Sequence, residues 1–230
     1  MSAALAGLRG SVYEGLALAF RPPSKDFYRS LSCRLLSPLS ELNNLFAWPG
    51  LEQSAVLGKL TQKKNYVLAS KIRRSLKLEY ERLFVGPYKL PAPPYASLYL
   101  ESEPTVMGRS TLGVLTVYEE AGFVLSPSFK DLPDHIAAEL EFMALLCEEE
   151  RRSWKKGDPS GAGRFLSLEE RFLSGHLVQW IPRFATRVLA STEVPFYRAL
   201  AFLTRDYVVL DLNSVHAVCR LLNAEPSPTP

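Results

Sequence analysis

Cysteine and histidine are scarce in this chain of 230 residues, three of each, and their scarcity removes whole classes of function. Cys33, Cys147 and Cys219 are an odd number at wide, unpatterned spacings, which excludes a disulfide framework or zinc knuckle and fits a reducing compartment. His135, His176 and His216 have no partner at metal-ligand spacing except His135 with Glu139, an ordinary i,i+4 helix pair. No metal and no other cofactor is expected. An excess of one charge is lacking as well. The 27 basic residues stand against 24 acidic ones, a net +3, which is too balanced to mark a nucleic-acid binder. No run of about 18 apolar residues occurs, so no membrane span is expected.

Catalytic motifs are missing too. There is no nucleophile elbow. The Gly-containing stretch Arg151 to Arg164 is not a P-loop, because counting from Gly157 the second glycine position holds Ala162 and the lysine position holds Gly163. Carboxylates are common, but on solvated helix faces without a cleft they are not general acids. Binding rather than turnover is expected, with no catalytic residue. The first residues carry no basic group ahead of their apolar portion, and Arg9 interrupts that portion, so they do not read as a signal peptide. A cytoplasmic location follows.

What is present is a core. At 47% hydrophobic and 22% charged residues, the chain suits one globular domain, 1–223, with a disordered Pro/Ser tail at 224–230. Apolar spacing predicts an all-α bundle of about ten helices. Leu5, Leu8, Val12 and Leu16 mark a helix over 3–20, stopped before Pro22-Pro23. Ser24 is a candidate N-cap for a short helix through Leu35, and 38–50 is expected to be broken, with Trp48-Pro49-Gly50 as a turn. Leu68, Ile72, Leu76, Tyr80 and Phe84 fall at four-residue steps in a long helix over 52–84. Ser110 or Thr111 is expected to cap a helix ended by Gly122. Asp131 is the expected N-cap of another that runs to about Trp154 with Leu132, Ile136, Leu140, Met143 and Cys147 as its buried stripe. Residues 151–164 are the candidate hinge. Beyond it come a helix to Leu189 with Pro182 near its start or at a kink, one from Pro195, and a final one holding Val215, Val218 and Leu222.

The chain is organised around Glu81 to Leu100. Pro87, Pro91, Pro93 and Pro94 exclude a helix or central strand there, yet Leu83, Phe84, Val85, Tyr88, Leu90, Tyr95, Leu98, Tyr99 and Leu100 make it as apolar as a core. Two readings fit: a rigid aromatic loop across a helical body that walls a peptide groove, or a crossover whose rings belong to the core. A second feature is Asp134, Glu141 and Glu148, spaced by seven residues so that they share one helix side, with His135 and Glu139 beside them. Such a strip can meet a doubly basic peptide or be a solvated helix face. The run Lys59, Lys63, Lys64, Lys71, Arg73, Arg74 and Lys77 lacks the aromatic interleaving of a nucleic-acid surface.

Arg82-Leu-Phe-Val-Gly-Pro-Tyr-x-Leu-Pro-x-Pro-Pro-Tyr95, followed by Ser97 to Leu100 and Met107-Gly-x-Ser-Thr111, resembles the signature of the TorD/DmsD family of cytoplasmic chaperones. Asp134-His135 at the start of a long helix, Trp180-x-Pro182-x-Phe184 and Pro195-Phe-Tyr-Arg-Ala-Leu200 resemble further landmarks of that family, the last of its DmsD-like members. The resemblance implies an all-helical bundle that is not an enzyme. It implies partners as well: the twin-arginine (Tat) leader and the apo form of a molybdoenzyme of the DMSO reductase type, guarded while its molybdopterin is inserted and held back from premature export. Carried over, the leader-binding residues are Tyr80, Leu83, Phe84, Gly86, Pro87, Tyr88, Pro94, Tyr95, Asp134 and His135, to which the acidic strip adds Glu141. Tyrosine at 80, 88 and 95 stands where DmsD-like members can carry tryptophan, and Pro133 lies one residue later than the family's proline can. Other readings are a NarJ-like chaperone of a non-exported leader or a catalytic subunit, a chaperone of a non-molybdenum partner, and a guanine-nucleotide binder for which no motif is present. A monomer and a dimer exchanging C-terminal helices are both compatible with the expected hinge.

Overall fold

A computed structural model describes residues 2–46, 52–61, 66–87, 89–103, 106–126 and 129–223. Its α-helices are α1 (Ala3–Ala19), α2 (Phe27–Leu31), α3 (Ser37–Phe46), α4 (Glu52–Thr61), α5 (Tyr66–Tyr80), α6 (Ser97–Leu100), α7 (Arg109–Glu120), α8 (Ile136–Lys155), α9 (Pro159–Phe172), α10 (Val178–Ser191) and α11 (Pro195–Asn223). π turns at Ser32–Leu36 and Leu173–Leu177 join α2 to α3 and α9 to α10, and a third, Glu81–Val85, extends α5. The described residues thus make nine continuous helices and no sheet, the all-α bundle the periodicity predicts. The expected Trp48-Pro49-Gly50 turn and the 224–230 tail lie outside the described residues.

Each π turn lies just upstream of a proline, which explains why the expected break after Pro38 does not occur. Proline lacks the N–H and its ring collides with the carbonyl four residues back. For Pro38 that carbonyl, of Arg34, lies inside the π turn, whose wider winding relieves the collision, whereas at Gly86 the chain has left the helix before Pro87. The helix therefore runs on through Pro38 to Phe46. Gly86 N–H closes the third π turn on the Glu81 carbonyl at 2.7 Å, and Ala92 N–H takes the Leu83 carbonyl.

Several expected boundaries move. Asp26, not Ser24, holds the N-cap position of α2. Of the long helix expected over 52–84, the described residues show α4, α5 and its π turn, and 62–65 lie outside the described residues. Helix α7 starts after Gly108, and the Glu101 carboxylate, 2.8 Å from the Ser110 amide, supplies the cap that Ser110 or Thr111 was expected to provide. The stretch 151–164 is not a long loop: α8 runs to Lys155 and α9 begins at Pro159. Between them Gly157 takes φ +69°, which only glycine adopts freely, and Asp158 caps Gly161 at 2.8 Å. The two helices expected after Pro195 are one, α11. Even Glu81 to Leu100 is helical at both ends.

Helix α8 is the axis of the bundle. Of the expected stripe, Ile136, Leu140, Met143 and Cys147 are buried along it, whereas Leu132 precedes the helix and is half-buried; α8 packs chiefly on α1 and α9, while α10 and α4 pack on α11. Gly15 lets α1 approach the first π turn. A Cβ there would stand 2.6 Å from the Leu35 Cβ and 2.7 Å from the Arg34 carbonyl oxygen.

Candidate functional site

The proline loop is clamped to the start of α8. The Ala96 amide donates to the Asp134 carbonyl at 3.0 Å, the Ile136 amide to the Pro94 carbonyl at 2.9 Å, and Tyr95 and His135 form an isolated antiparallel bridge. The Asp134 carboxylate accepts from the Ser97 amide at 2.9 Å through Oδ2. On the other side, Arg187 of α10 donates to the Pro91 carbonyl and Arg183 to the Tyr99 carbonyl, and the Arg187 guanidinium lies 5.6 Å from the Tyr99 ring centre. An irregular segment without ladder partners needs such donors for its carbonyls. The loop is thus laid across a helical body, as one reading of the sequence had it.

The other reading also holds for part of it. Leu83 and Phe84 are 0% and 2% exposed, with the Phe84 ring packed against Phe20, Tyr80, Phe184 and Tyr197. They belong to the core and present no surface to a ligand. Pro94 is buried as well, Gly86 closes the π turn, and Pro87 is exposed. Tyr88 lies outside the described residues.

Four of the expected residues converge. The Tyr95 and His135 rings meet edge to face at 5.4 Å. Tyr80 is buried beside them, its hydroxyl donating to the Phe20 carbonyl at 3.3 Å, and Asp134 lies beneath. His135, rather than Asp131, is the N-cap of α8: its Nδ1 accepts from the Ala137 amide at 3.1 Å. That fixes the neutral tautomer with the proton on Nε2, 3.8 Å from the exposed Asp131 carboxylate. Burial lowers the His135 pKa against the pull of Asp131, and it pushes Tyr80 up to about 12, with Asp131 adding to the rise. Burial and then Asp131 likewise raise Tyr95. Asp131 is the shared electrostatic neighbour of all three, a residue the sequence marked only as a cap.

The acidic strip does not form as expected. Asp134 precedes α8 and is fully buried, and Glu139 is buried on another side, where it accepts from His176 Nε2 at 2.6 Å and Trp180 Nε1 at 2.9 Å. Burial pushes the Glu139 carboxyl up against the pull of His176; at His176 burial works downward, but the Glu139 charge prevails and raises it. His176 thus has a carboxylate partner that spacing alone did not reveal. Glu141 and Glu148 remain on the surface, Glu141 paired with Arg21 and Glu148 with Arg151 and Arg152. Among the described residues no cluster of His, Cys, Asp and Glu could hold a metal ion, and no helix is long and apolar enough to cross a membrane.

The bundle is the fold of a known class. A solved structure of an Archaeoglobus fulgidus protein assigned to redox enzyme maturation superposes with a TM-score of 0.54 at 19% identity, covering 87% of this chain and 93% of that one. Residues 52–186 match the family described as the nitrate reductase delta subunit, and the chain belongs to that family, in which the TorD and DmsD proteins stand. It is 34% identical over 131 residues to the Tat proofreading chaperone DmsD of Salmonella typhi, a match spanning 57% of either chain. With the chaperone protein TorD of Psychrobacter sp. (strain PRwf-1) it shares 25% identity over 210 residues, 88% of this chain and 89% of the relative.

Proposed function

We propose that this protein is a cytoplasmic chaperone of redox-enzyme maturation that binds the twin-arginine leader and the apo form of a molybdopterin-dependent oxidoreductase, assists cofactor insertion and delays export. The observation that carries the reading is the clamp: Tyr95 is pinned at the mouth of α8 by backbone bonds to both neighbours of His135, with an exposed carboxylate, Asp131, beside it. A leader offers two guanidinium groups and an apolar run. Half-buried Tyr95 offers an aromatic wall for the run, and the carboxylates of Asp131 and Glu141 accept the forked donors. Asp134 acts differently in this scheme. Its carboxylate is fully buried and accepts from Ser97 through Oδ2, so it holds the loop in place rather than meeting an arginine at the surface.

Calorimetric titration with a synthetic twin-arginine leader, beside a peptide with both arginines changed to alanine, tests the reading. Binding at micromolar concentration or below, weakened by the double change, is expected. The family's description as a nitrate reductase subunit favours a second reading, a client whose leader is not exported or whose catalytic body is the ligand. Under that reading no leader binds, while the apo catalytic subunit does.

A further inference from the structure

Two concavities meet at one carboxylate. On one side of Glu141 lies a cavity of about 230 Å³ walled by Tyr118, Phe123, Leu125, Phe129, Phe142 and Leu145. On the other, a groove of about 550 Å³ runs between α1 and α8 past Gly7, Gly10, Ser11, Glu14 and Ala144. Glu141 and Leu145 line both. The aromatic walls pack on one another, with Tyr118 and Phe142 ring centres 4.4 Å apart and Phe123 set edge-on to Phe142 at 5.8 Å. Leu145 remains 42% exposed at the rim.

A guanidinium already sits at this junction. Arg21 follows the end of α1 and pairs with Glu141, although 120 positions separate them, and both side chains remain nearly half exposed. Phe20, its neighbour, is tied to Tyr80 through the Tyr80 hydroxyl, and the Arg21 charge is felt at both Tyr80 and His135. The pair therefore borders the Tyr95–His135 site. Of the other acids that line the groove, Glu148 is held by two arginines of its own helix and Glu14 by Arg34, and neither lines the aromatic cavity. An exposed pair of this kind is worth little, and a second guanidinium can replace the first at small cost.

We propose that Glu141 is the carboxylate that receives an arginine of the leader, that Arg21 occupies this place in the free protein as the chain's own guanidinium, and that the aromatic cavity takes the apolar side chain that follows. This rests on the leader-binding reading above. Charge selects the basic residue and the cavity selects its neighbour, so the junction reads a basic-then-apolar step rather than charge alone. Arg21 sets a threshold: a peptide with one weakly placed cation does not displace it.

The experiment is a calorimetric cycle with wild-type protein, Arg21→Ala, Glu141→Gln and the double variant. Each is titrated with the twin-arginine leader, its double-alanine form, and a form whose apolar residue after the arginines is changed to serine. Because Arg21 and Glu141 are exposed, all four proteins are expected to melt together. Arg21→Ala tightens binding of the twin-arginine leader by about two- to fivefold, the size of an exposed ion pair. Glu141→Gln removes both the resident and the incoming pair, so it lies close to wild type, and it abolishes the gain from Arg21→Ala, leaving the double variant about two- to fivefold weaker than Arg21→Ala alone. The serine leader binds more weakly to every variant. If wild-type protein binds the leader but Arg21→Ala leaves affinity unchanged or lowers it, or if the two changes add independently, the junction is not the arginine site and only this inference fails. If wild-type protein binds no leader, the leader-binding reading itself fails and takes this one with it.

Discussion

Arg9 of α1 and Asp211 of α11, 202 positions apart, meet inside the protein with Nε and Oδ1 separated by 2.6 Å. Glu150 of α8 accepts from the same guanidinium at 2.8 Å, Glu169 of α9 accepts as well, and Tyr13 donates to Asp211 at 2.7 Å. One buried cation thus ties four helices through three buried acids. Three carboxylates cannot all be ionised beside one guanidinium in a dry site, so one carboxyl keeps its proton. Burial, opposed by Arg9, raises Glu169 to about 8.

That proton links stability to pH. In the unfolded chain Glu169 titrates near 4.5, so between there and about 8 the folded state holds a proton that the unfolded state has lost. The contribution is fully present below 4.5 and is lost as pH rises through about 8. Glu169→Gln is neutral in both states. Denaturant unfolding at several pH values from 5 to about 9 should show a shallower decline in the variant, whereas parallel declines would assign the proton elsewhere.

Glu139 makes a comparable demand in the other half of α8. Replacing it by leucine strands the Trp180 indole N–H and leaves His176 without its carboxylate. The loss of stability should be about 3–5 kcal/mol, the cost of breaking a buried pair from one side. Glu139→Gln, which keeps an acceptor, should lose less. Comparison of the two midpoints checks this.

Gly15→Ala tests the approach of α1 to the first π turn. Its new Cβ would meet backbone and a Cβ rather than a flexible chain end, so relaxation must move a helix. A cost of about 1–3 kcal/mol is expected, although alanine favours helix elsewhere. A thermal midpoint equal to that of the wild type would mean that the two helices slide apart freely.

For leader binding, the clamped ring should matter more than the far acid. Tyr95→Ala is expected to speed dissociation about tenfold or more, as for a packed aromatic anchor. Glu148→Ala, whose carboxylate is already held by Arg151 and Arg152, should change it by less than about threefold. Surface plasmon resonance with an immobilised leader decides, and the reverse ranking would move the site away from the proline loop.

Periodicity alone located α1, the buried stripe of α8 and the start of α11, because a helix repeats its environment every 3.6 residues and an apolar stripe records that repeat locally. The proline loop was legible too, since four prolines exclude regular structure whatever surrounds them. The sequence likewise marked Tyr80, Tyr95, Asp134 and His135 through a family resemblance. What they do there was not legible. Whether Phe84 walls a groove or fills the core depends on Phe20, Phe184 and Tyr197, which arrive from the end of α1, from α10 and from α11. The cap of α8 passed from Asp131 to His135 because the Pro94 to Ser97 backbone takes the hydrogen bonds on either side of that histidine. His176 and Glu139, like Arg21 and Glu141, found partners outside their own helices, and no spacing rule reaches across such distances. Local spacing therefore determined the helices and the exposed or buried tendency of each face. Tertiary packing decided which charge meets which, because those pairs exist only once the helices that carry them are brought together.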